Sequence, residues 1–222
     1  MVAGPILACG GDGDFTALLL ELSGRARPRL CYLPTATADD PARIVAFYER
    51  VLRHSCEPFH VTLFGTPQRP AERVAEADVV WVGGGNTANM LAIWRLHGID
   101  VALRAAWGRG AVLAGASAGG NCWFEGSVTD SFGPQLVALP DGLGLLAGSF
   151  CPHRDTEELR RPVFRQLVAD GVLAAGIACD DFAAVLYDGT ELAEVVTLRA
   201  GAGASRVTAD GEEPLAARLL GA

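Results

Sequence analysis

The segment Ala111-Val-Leu-Ala-Gly-Ala-Ser-Ala-Gly-Gly-Asn121 constrains this chain more than any other. Its apolar start, residues 111–114, reads as a buried strand. The strand runs into Gly115-Ala-Ser-Ala-Gly119, a G-x-S-x-G pattern, and more small residues follow. A strand, a sharp turn with serine at its tip and then a helix is the layout of a nucleophile elbow. The tip residue of such a turn is held in a strained backbone conformation. Glycines two before and two after it let strand and helix approach without a side-chain clash. The hydroxyl of Ser117 then projects above the sheet. The first amides of the following helix point into the same space, where they can hold a developing oxyanion.

The rest of the chain agrees with an α/β fold. Apolar runs at residues 6–9, 30–33, 60–64, 79–82 and 112–114 read as strands. Helical patterns lie between them at 14–22, 41–52, 70–77, 87–96 and 101–107. Continuous apolar strands alternating with amphipathic helices predict a mainly parallel sheet covered on both faces. After the elbow, glycine and proline punctuate residues 133–148. A helix is expected over 156–170, then short strands at 177–179, 183–187, 195–198 and 206–208, with hairpin turns at Asp188-Gly189 and Asp210-Gly211. No repeat or linker breaks the chain, so one domain over residues 1–222 is the simplest account.

Composition removes several classes of function. The net charge is −8 and the basic residues are scattered, which argues against a nucleic-acid partner. All 18 basic residues are arginine, so lysine Schiff bases, pyridoxal phosphate lysines and P-loop lysines are excluded. No apolar run approaches the roughly 18–20 residues of a membrane span. The N-terminus lacks the basic start of a signal peptide, so the expected location is cytoplasmic. The six cysteines, at 9, 31, 56, 122, 151 and 179, form no CxxC pair and read as buried thiols. No metal or cofactor is expected. The expected partner is a small substrate, with a homodimer left open.

Two further glycine-rich loops follow predicted strands. Val82-Gly-Gly-Gly-Asn-Thr87 allows the backbone to approach a ligand closely, and an amide of Gly84 or Gly85 can serve as an oxyanion donor beside that of Ala118. Its plainer role is a turn with Asn86 or Thr87 capping the next helix. Gly10-Gly-Asp-Gly-Asp14 resembles a degenerate dinucleotide loop, but its aspartates would repel a pyrophosphate. It reads as a turn with Asp14 as helix cap. A serine nucleophile needs a base, and there are four histidines: His54, His60, His97 and His153. His153 follows the nucleophile and sits where a strand end meets a loop. For the acid that orients the imidazole, Asp130, Asp180 and Asp181 are all available. Cys122 and Cys151 are alternative nucleophiles, but neither occupies the elbow tip.

Taken together, Val82-Gly-Gly-Gly-Asn-Thr87, Gly115-Ala-Ser-Ala-Gly119, Pro152-His153 and Asp180-Asp181 resemble the peptidase E (aspartyl dipeptidase) and cyanophycinase family of serine peptidases. The resemblance runs over roughly residues 5–190. It implies a three-layer α/β sandwich like class I glutamine amidotransferases, with serine replacing cysteine at the elbow. It implies Ser117 as nucleophile, His153 as general base, and oxyanion donors in the 83–85 loop and at Ala118. The family generally has a glutamate where Asp181 stands. Aspartate is one methylene shorter, so Asp130 is an alternative third member. The resemblance also points to Arg160, with Arg161 beside it, as the group that grips a substrate's N-terminal aspartate, although the segment from His153 to Arg160 is shorter than in peptidase E. The activity it implies is hydrolysis of small peptides, with cyanophycinase-like, amidase or esterase chemistry on the same triad as the alternative. A non-catalytic binding module is the reading outside enzymes.

Overall fold

A computed structural model describes residues 3–221. The first half alternates as follows: β1 (Ile6–Cys9), α1 (Thr16–Leu22), β2 (Arg29–Leu33), α2 (Pro41–Val51), β3 (Glu57–His60), α3 (Pro70–Ala75), β4 (Val79–Val82), α4 (Thr87–His97), α5 (Ile99–Gly108) and β5 (Val112–Ala116). The short α6 (Ala118–Asn121) then leads into β6 (Phe124–Thr129), β7 (Val137–Leu139), β8 (Leu146–Cys151), α7 (Arg160–Ala169) and β9 (Gly176–Cys179). The chain closes with β10 (Ala183–Asp188), β11 (Glu191–Thr197), β12 (Ala204–Thr208), β13 (Gly211–Pro214) and β14 (Ala217–Leu219).

These strands form two sheets. The first has the order β14-β11-β10-β1-β5-β4-β2-β3. Its β1-β5-β4-β2-β3 portion is parallel throughout, and β10 adds to β1 antiparallel. The second sheet has the order β13-β12-β9-β8-β6-β7, with β6, β8 and β9 parallel. The fold is thus the expected α/β sandwich, to which the structure adds a second sheet.

Period-2 alternation divides the first sheet's side chains between two cores. Leu7, Cys9, Leu30, Tyr32, Trp81 and Ala114 face α1 and α2, where they meet Phe15, Leu19, Phe47 and Val51. Ile6, Ala8, Cys31, Val80 and Leu113 face the other way. There they pack with Met90, Trp94 and Leu103 from α4 and α5, and with Phe124, Leu146, Phe150 and Ile177 from the second sheet. One core therefore joins both sheets. The outer face of the second sheet is closed by Phe164 and Val168 of α7 against Val128 and Cys151.

The expected strand at 60–64 lies instead at Glu57–His60. It is an edge strand paired only to β2, so Pro58 costs no ladder bond to a second neighbour. Both expected hairpins form, β10 to β11 and β12 to β13. All six cysteines are buried free thiols. Among the described residues no helix is long and apolar enough to cross a membrane.

Candidate active site

The carboxyl ends of β1, β2, β4 and β5 open onto a cavity of about 430 Å³. This is the end at which parallel α/β sheets build their sites. Its lining includes Gly11, Asp12, the glycines 83–85, Ser117 and His153. Arg43, Phe47 and Arg50 of α2 line it as well, with Tyr32 and Trp81.

Ser117 follows β5 with φ 54° and ψ −112°, a conformation that L-residues rarely adopt. Its amide donates to the carbonyl of Cys9 at 3.1 Å, and its carbonyl accepts from Gly120 and Asn121. The flanking glycines are required by contact rather than by dihedral. A Cβ on Gly119 would overlap the carbonyl of Val82, and one on Gly115 would lie 2.6 Å from the carbonyl carbon of Gly119. The elbow thus presses directly on the neighbouring strand. A Cβ on Gly84 would come within 3.3 Å of the Ser117 Cβ, which places the 83–85 loop against the serine. Gly85 has φ +138° and abuts the carbonyl of Ala36. Among the described residues no backbone carbonyl accepts from the amides of Gly84, Gly85 or Ala118 outside regular ladders. Asn86 caps α4 through Asn89, so the loop is also the turn that its sequence suggested.

His153 lies two residues past the end of β8, also at positive φ (55°). Its Nδ1 is 2.7 Å from Oδ1 of Asp181. The other carboxylate oxygen of Asp181 accepts from the Thr156 hydroxyl at 2.9 Å. The amide of Asp181 donates to Asp155, which is itself paired to Arg199. Asp130 does not reach the histidine. It is exposed and stands 3.7 Å from Arg160.

Asp180 points the other way. It holds Arg154 through two bonds, of 2.6 and 2.7 Å, and is almost fully buried. Arg154 also donates to Ser205 and Glu212, and Glu212 accepts from Arg161 at 2.7 Å. Successive residues therefore alternate: His153 meets Asp181, and Arg154 meets Asp180. The bidentate bond to Asp180 pushes the Arg154 pKa above the ordinary arginine value.

Arg160 departs from the expectation placed on it. It does not line the cavity. Its guanidinium is buried against Glu157 at 2.7 Å and the carbonyl of Val128 at 3.2 Å. That placement gives no support to a grip on substrate. Arg161 is engaged by Glu212. The alternative cysteine nucleophiles are sequestered, since burial pushes the Cys151 thiol up to about 12 and the Cys122 thiol well above its usual value. None of the other histidines lines the cavity, and His60 meets the hydroxyl of Tyr48.

Gly11 is the site residue that sequence reasoning missed. A Cβ there would lie 2.6 Å from both Nδ1 and Cε1 of His153 and would overlap Oδ1 of Asp181. Its neighbour Gly10 accepts from the His153 amide at 3.1 Å, and Asp12 accepts from Phe182 at 2.7 Å. The loop after β1 is therefore stitched to His153 and to Phe182, the residue that follows Asp181. The available signal was a glycine pair directly after the first buried strand. The N-cap of α1 is Phe15 rather than the expected Asp14, whose carboxylate sits one residue earlier and accepts from the amide of Thr16 at 3.0 Å. Among the described residues no three His, Cys, Asp or Glu side chains cluster as a metal-binding group.

The sequence profile of peptidase family S51 matches residues 7–195. The chain belongs to peptidase family S51. Membership makes it a hydrolase, a serine-type peptidase of the peptidase E family. A Bacillus subtilis (strain 168) protein described as the uncharacterized peptidase YgaJ is 43% identical over 229 residues, covering 97% of this chain and 99% of that one. The crystal structure of a peptidase from an acI-B1 Actinobacterium superposes with a TM-score of 0.74 at 18% identity, over 97% of this chain and 95% of that one. A Listeria monocytogenes EGD-e protein provisionally described as a peptidase E superposes at 0.64 with 14% identity, over 89% and 100%. At those identities the two structures speak to the S51 fold alone.

Proposed function

We propose that this S51 peptidase hydrolyses short peptides through an acyl-enzyme on Ser117, with His153 as general base and Asp181 as the acid that orients it. The observation that carries the reading is the 2.7 Å contact between His153 Nδ1 and Asp181, on the rim of the cavity that Ser117 also lines. A carboxylate on Nδ1 fixes the proton there and leaves Nε2 as the acceptor for the serine proton.

The chemistry then runs in two balanced halves. Ser117 Oγ attacks the scissile carbonyl while His153 takes its proton. The oxygen becomes an oxyanion held by the amides of Ala118, Gly84 and Gly85, which donate to no backbone carbonyl outside regular ladders, whereas the Gly83 amide is taken by Leu33. The C–N bond breaks as His153 returns the proton to the leaving amine. Water, deprotonated by the same imidazole, attacks the ester, and the acyl group leaves as a carboxylic acid while Oγ recovers its proton. Asp181 remains ionised throughout and stabilises the imidazolium.

The cavity volume lies toward the small end of ligand pockets, about 300–1,000 Å³, which suits a dipeptide or a chain end. We read the whole chain as one catalytic domain, because one core draws on both sheets. The buried thiols fit a reducing compartment such as the cytoplasm.

The test pairs wild type with Ser117→Ala on a set of unblocked dipeptides with N-terminal Asp, Glu, Ala and Leu. Wild type should cleave at least one of them and should be labelled at Ser117 by a serine-directed phosphonate. The variant should lose turnover by about 10⁴-fold or more. Full activity in Ser117→Ala would sink the mechanism. Cleavage confined to the Asp peptides would assign an aspartyl dipeptidase.

A further inference from the structure

The wall of the cavity opposite in kind to its glycine loops is one face of α2. Arg43, Ala46, Phe47 and Arg50 recur at i, i+3, i+4 and i+7, the spacing of a single helix face, and all four line the cavity. Asp40 caps the helix through Ala42, and Phe47 anchors it by stacking on Tyr32 with centroids 4.8 Å apart. The two arginines are thereby held on a rigid element rather than on a loop.

Arg50 is under-partnered. Its guanidinium carbon sits 4.9 Å from the centroid of Trp81, so one planar face is covered. Its Nε is buried and makes no hydrogen bond to any described residue. The carboxylate near it, Asp14 Oδ1, stands 4.0 Å away. That same carboxylate is already used by the Thr16 amide and by Arg53 at 3.1 Å. Burial accordingly pulls the Arg50 pKa below the ordinary arginine value, and Asp14 only partly opposes this. A largely buried cation whose Nε donor is idle is costly unless an anion completes it. Every other buried arginine described above has its carboxylate: Arg154 has Asp180, and Arg160 has Glu157.

We propose that Arg50, backed by Trp81 and assisted by Arg43, is a carboxylate-binding subsite of the cavity, so that the favoured substrates are short peptides carrying a carboxylate there. The carboxylate is either an acidic side chain or the free C-terminus. This rests on the reading of the cavity as the peptide site. It transfers carboxylate recognition from α7, where sequence comparison looked for it at Arg160, to α2. A stacked guanidinium presents a planar fork that fits a carboxylate through two N–H bonds, which a lysine does not reproduce. Asp12 lines the same cavity, so an unblocked peptide meets groups of both signs.

The experiment is calorimetric binding of intact peptides to the Ser117→Ala protein, with and without Arg50→Gln. Four ligands are compared: Asp-Leu, Asn-Leu, and the C-terminal amide of each. Removing the relevant carboxylate from the ligand should weaken binding by about ten- to a hundredfold, the scale of a charge-assisted pair. Loss on going from Asp-Leu to Asn-Leu assigns the side chain. Loss on amidation assigns the C-terminus. Arg50→Gln should abolish that difference, and Arg50→Lys should restore only part of it. The ligand arm needs no substitution at Arg50, so it stands even if that variant folds poorly. Equal affinity for all four ligands overturns the proposal. So does no detectable binding of any of them, or an Arg50→Gln variant that melts lower yet discriminates as before. Phosphonate labelling of wild type reports separately on Ser117, so a failed nucleophile and a failed subsite are distinguishable.

Discussion

The first sheet delivers Ser117 from the end of β5, between two parallel neighbours. The second delivers His153 and Asp181 from the ends of β8 and β9. The two deliveries are built from different physics. Around Ser117 the position is set by steric contact: Gly115 and Gly119 sit where a methyl group would collide with backbone, and one at Gly84 would press on the serine itself. Around His153 and Asp181 it is set by charge, through Arg154–Asp180–Glu212 on one side and Asp155–Arg199 on the other. The nucleophile side should therefore be intolerant of added volume and indifferent to pH. The acid–base side should respond to every charge removed. The loop after β1 is where the two meet, since it belongs to the first sheet and bonds to residues from the second.

Three substitutions probe that contrast at the site itself. Asp181→Asn keeps the shape but removes the charge that sets the imidazole tautomer, and kcat should fall by about 10⁴-fold. Asp130→Asn, which touches only Arg160 at the surface, should leave kcat unchanged. A reversal of those two outcomes would move the third triad role to Asp130. Gly11→Ala adds one methyl group at the seam, on top of the His153–Asp181 contact. Displacing that pair by a fraction of an ångström should cost about 10²-fold in kcat. Wild-type kinetics in this variant would mean that the loop yields and that steric control ends at the elbow.

Arg154→Met leaves the buried carboxylate of Asp180 without its partner, which should destabilise the fold by about 3 kcal/mol in denaturant titration. The double variant with Asp180→Asn should recover part of the loss, and no recovery would deny the pairing its stabilising role. The smallest effect is titrational. Burial alone would raise the Glu212 pKa, but the hydrogen bonds from Arg161 and Arg154 outweigh it and hold the carboxyl below the ordinary glutamate value. With the folded pKa lowered, the contribution is complete above the unfolded value of about 4.3 and is lost as pH falls through the folded one. The gap in melting temperature between wild type and Glu212→Gln should therefore narrow on acidification. A gap that stays constant would separate Glu212 from the acid response.

Much of the first sheet was legible because its central strands are buried on both faces and so read as unbroken apolar runs, as in Val79–Val82. β3 was displaced by several residues because an edge strand need not be apolar, and its Pro58 looked like an interruption. The second sheet was legible only in part: β9 and β12 were expected at 177–179 and 206–208, whereas β6, β7 and β13 were not. β6 interleaves Glu125 and Gly126 with its apolar residues, and β7 and β13 are short strands with no fully buried residue. In the site, Ser117, His153 and Asp181 carried a recognisable order along the chain. Gly11, Arg50 and Arg154 did not, because their significance lies in contacts across long sequence separations. Arg154 meets Glu212 from 58 residues away. Arg50 was simply one more charge near the end of an amphipathic helix.

The arginine clamp also bears on how short this enzyme can be made. The family profile ends at residue 195, yet Ser205 and Glu212, which hold Arg154 next to His153 in the chain, lie beyond it on β12 and β13. A fragment trimmed to the family boundary would retain Ser117, His153 and Asp181. It would lose the outer half of the brace that keeps the last two in place. On the proposed mechanism the C-terminal hairpin is scaffold for the His153–Asp181 pair rather than an appendage, and a terminal fusion that pulls on it would be felt at the imidazole.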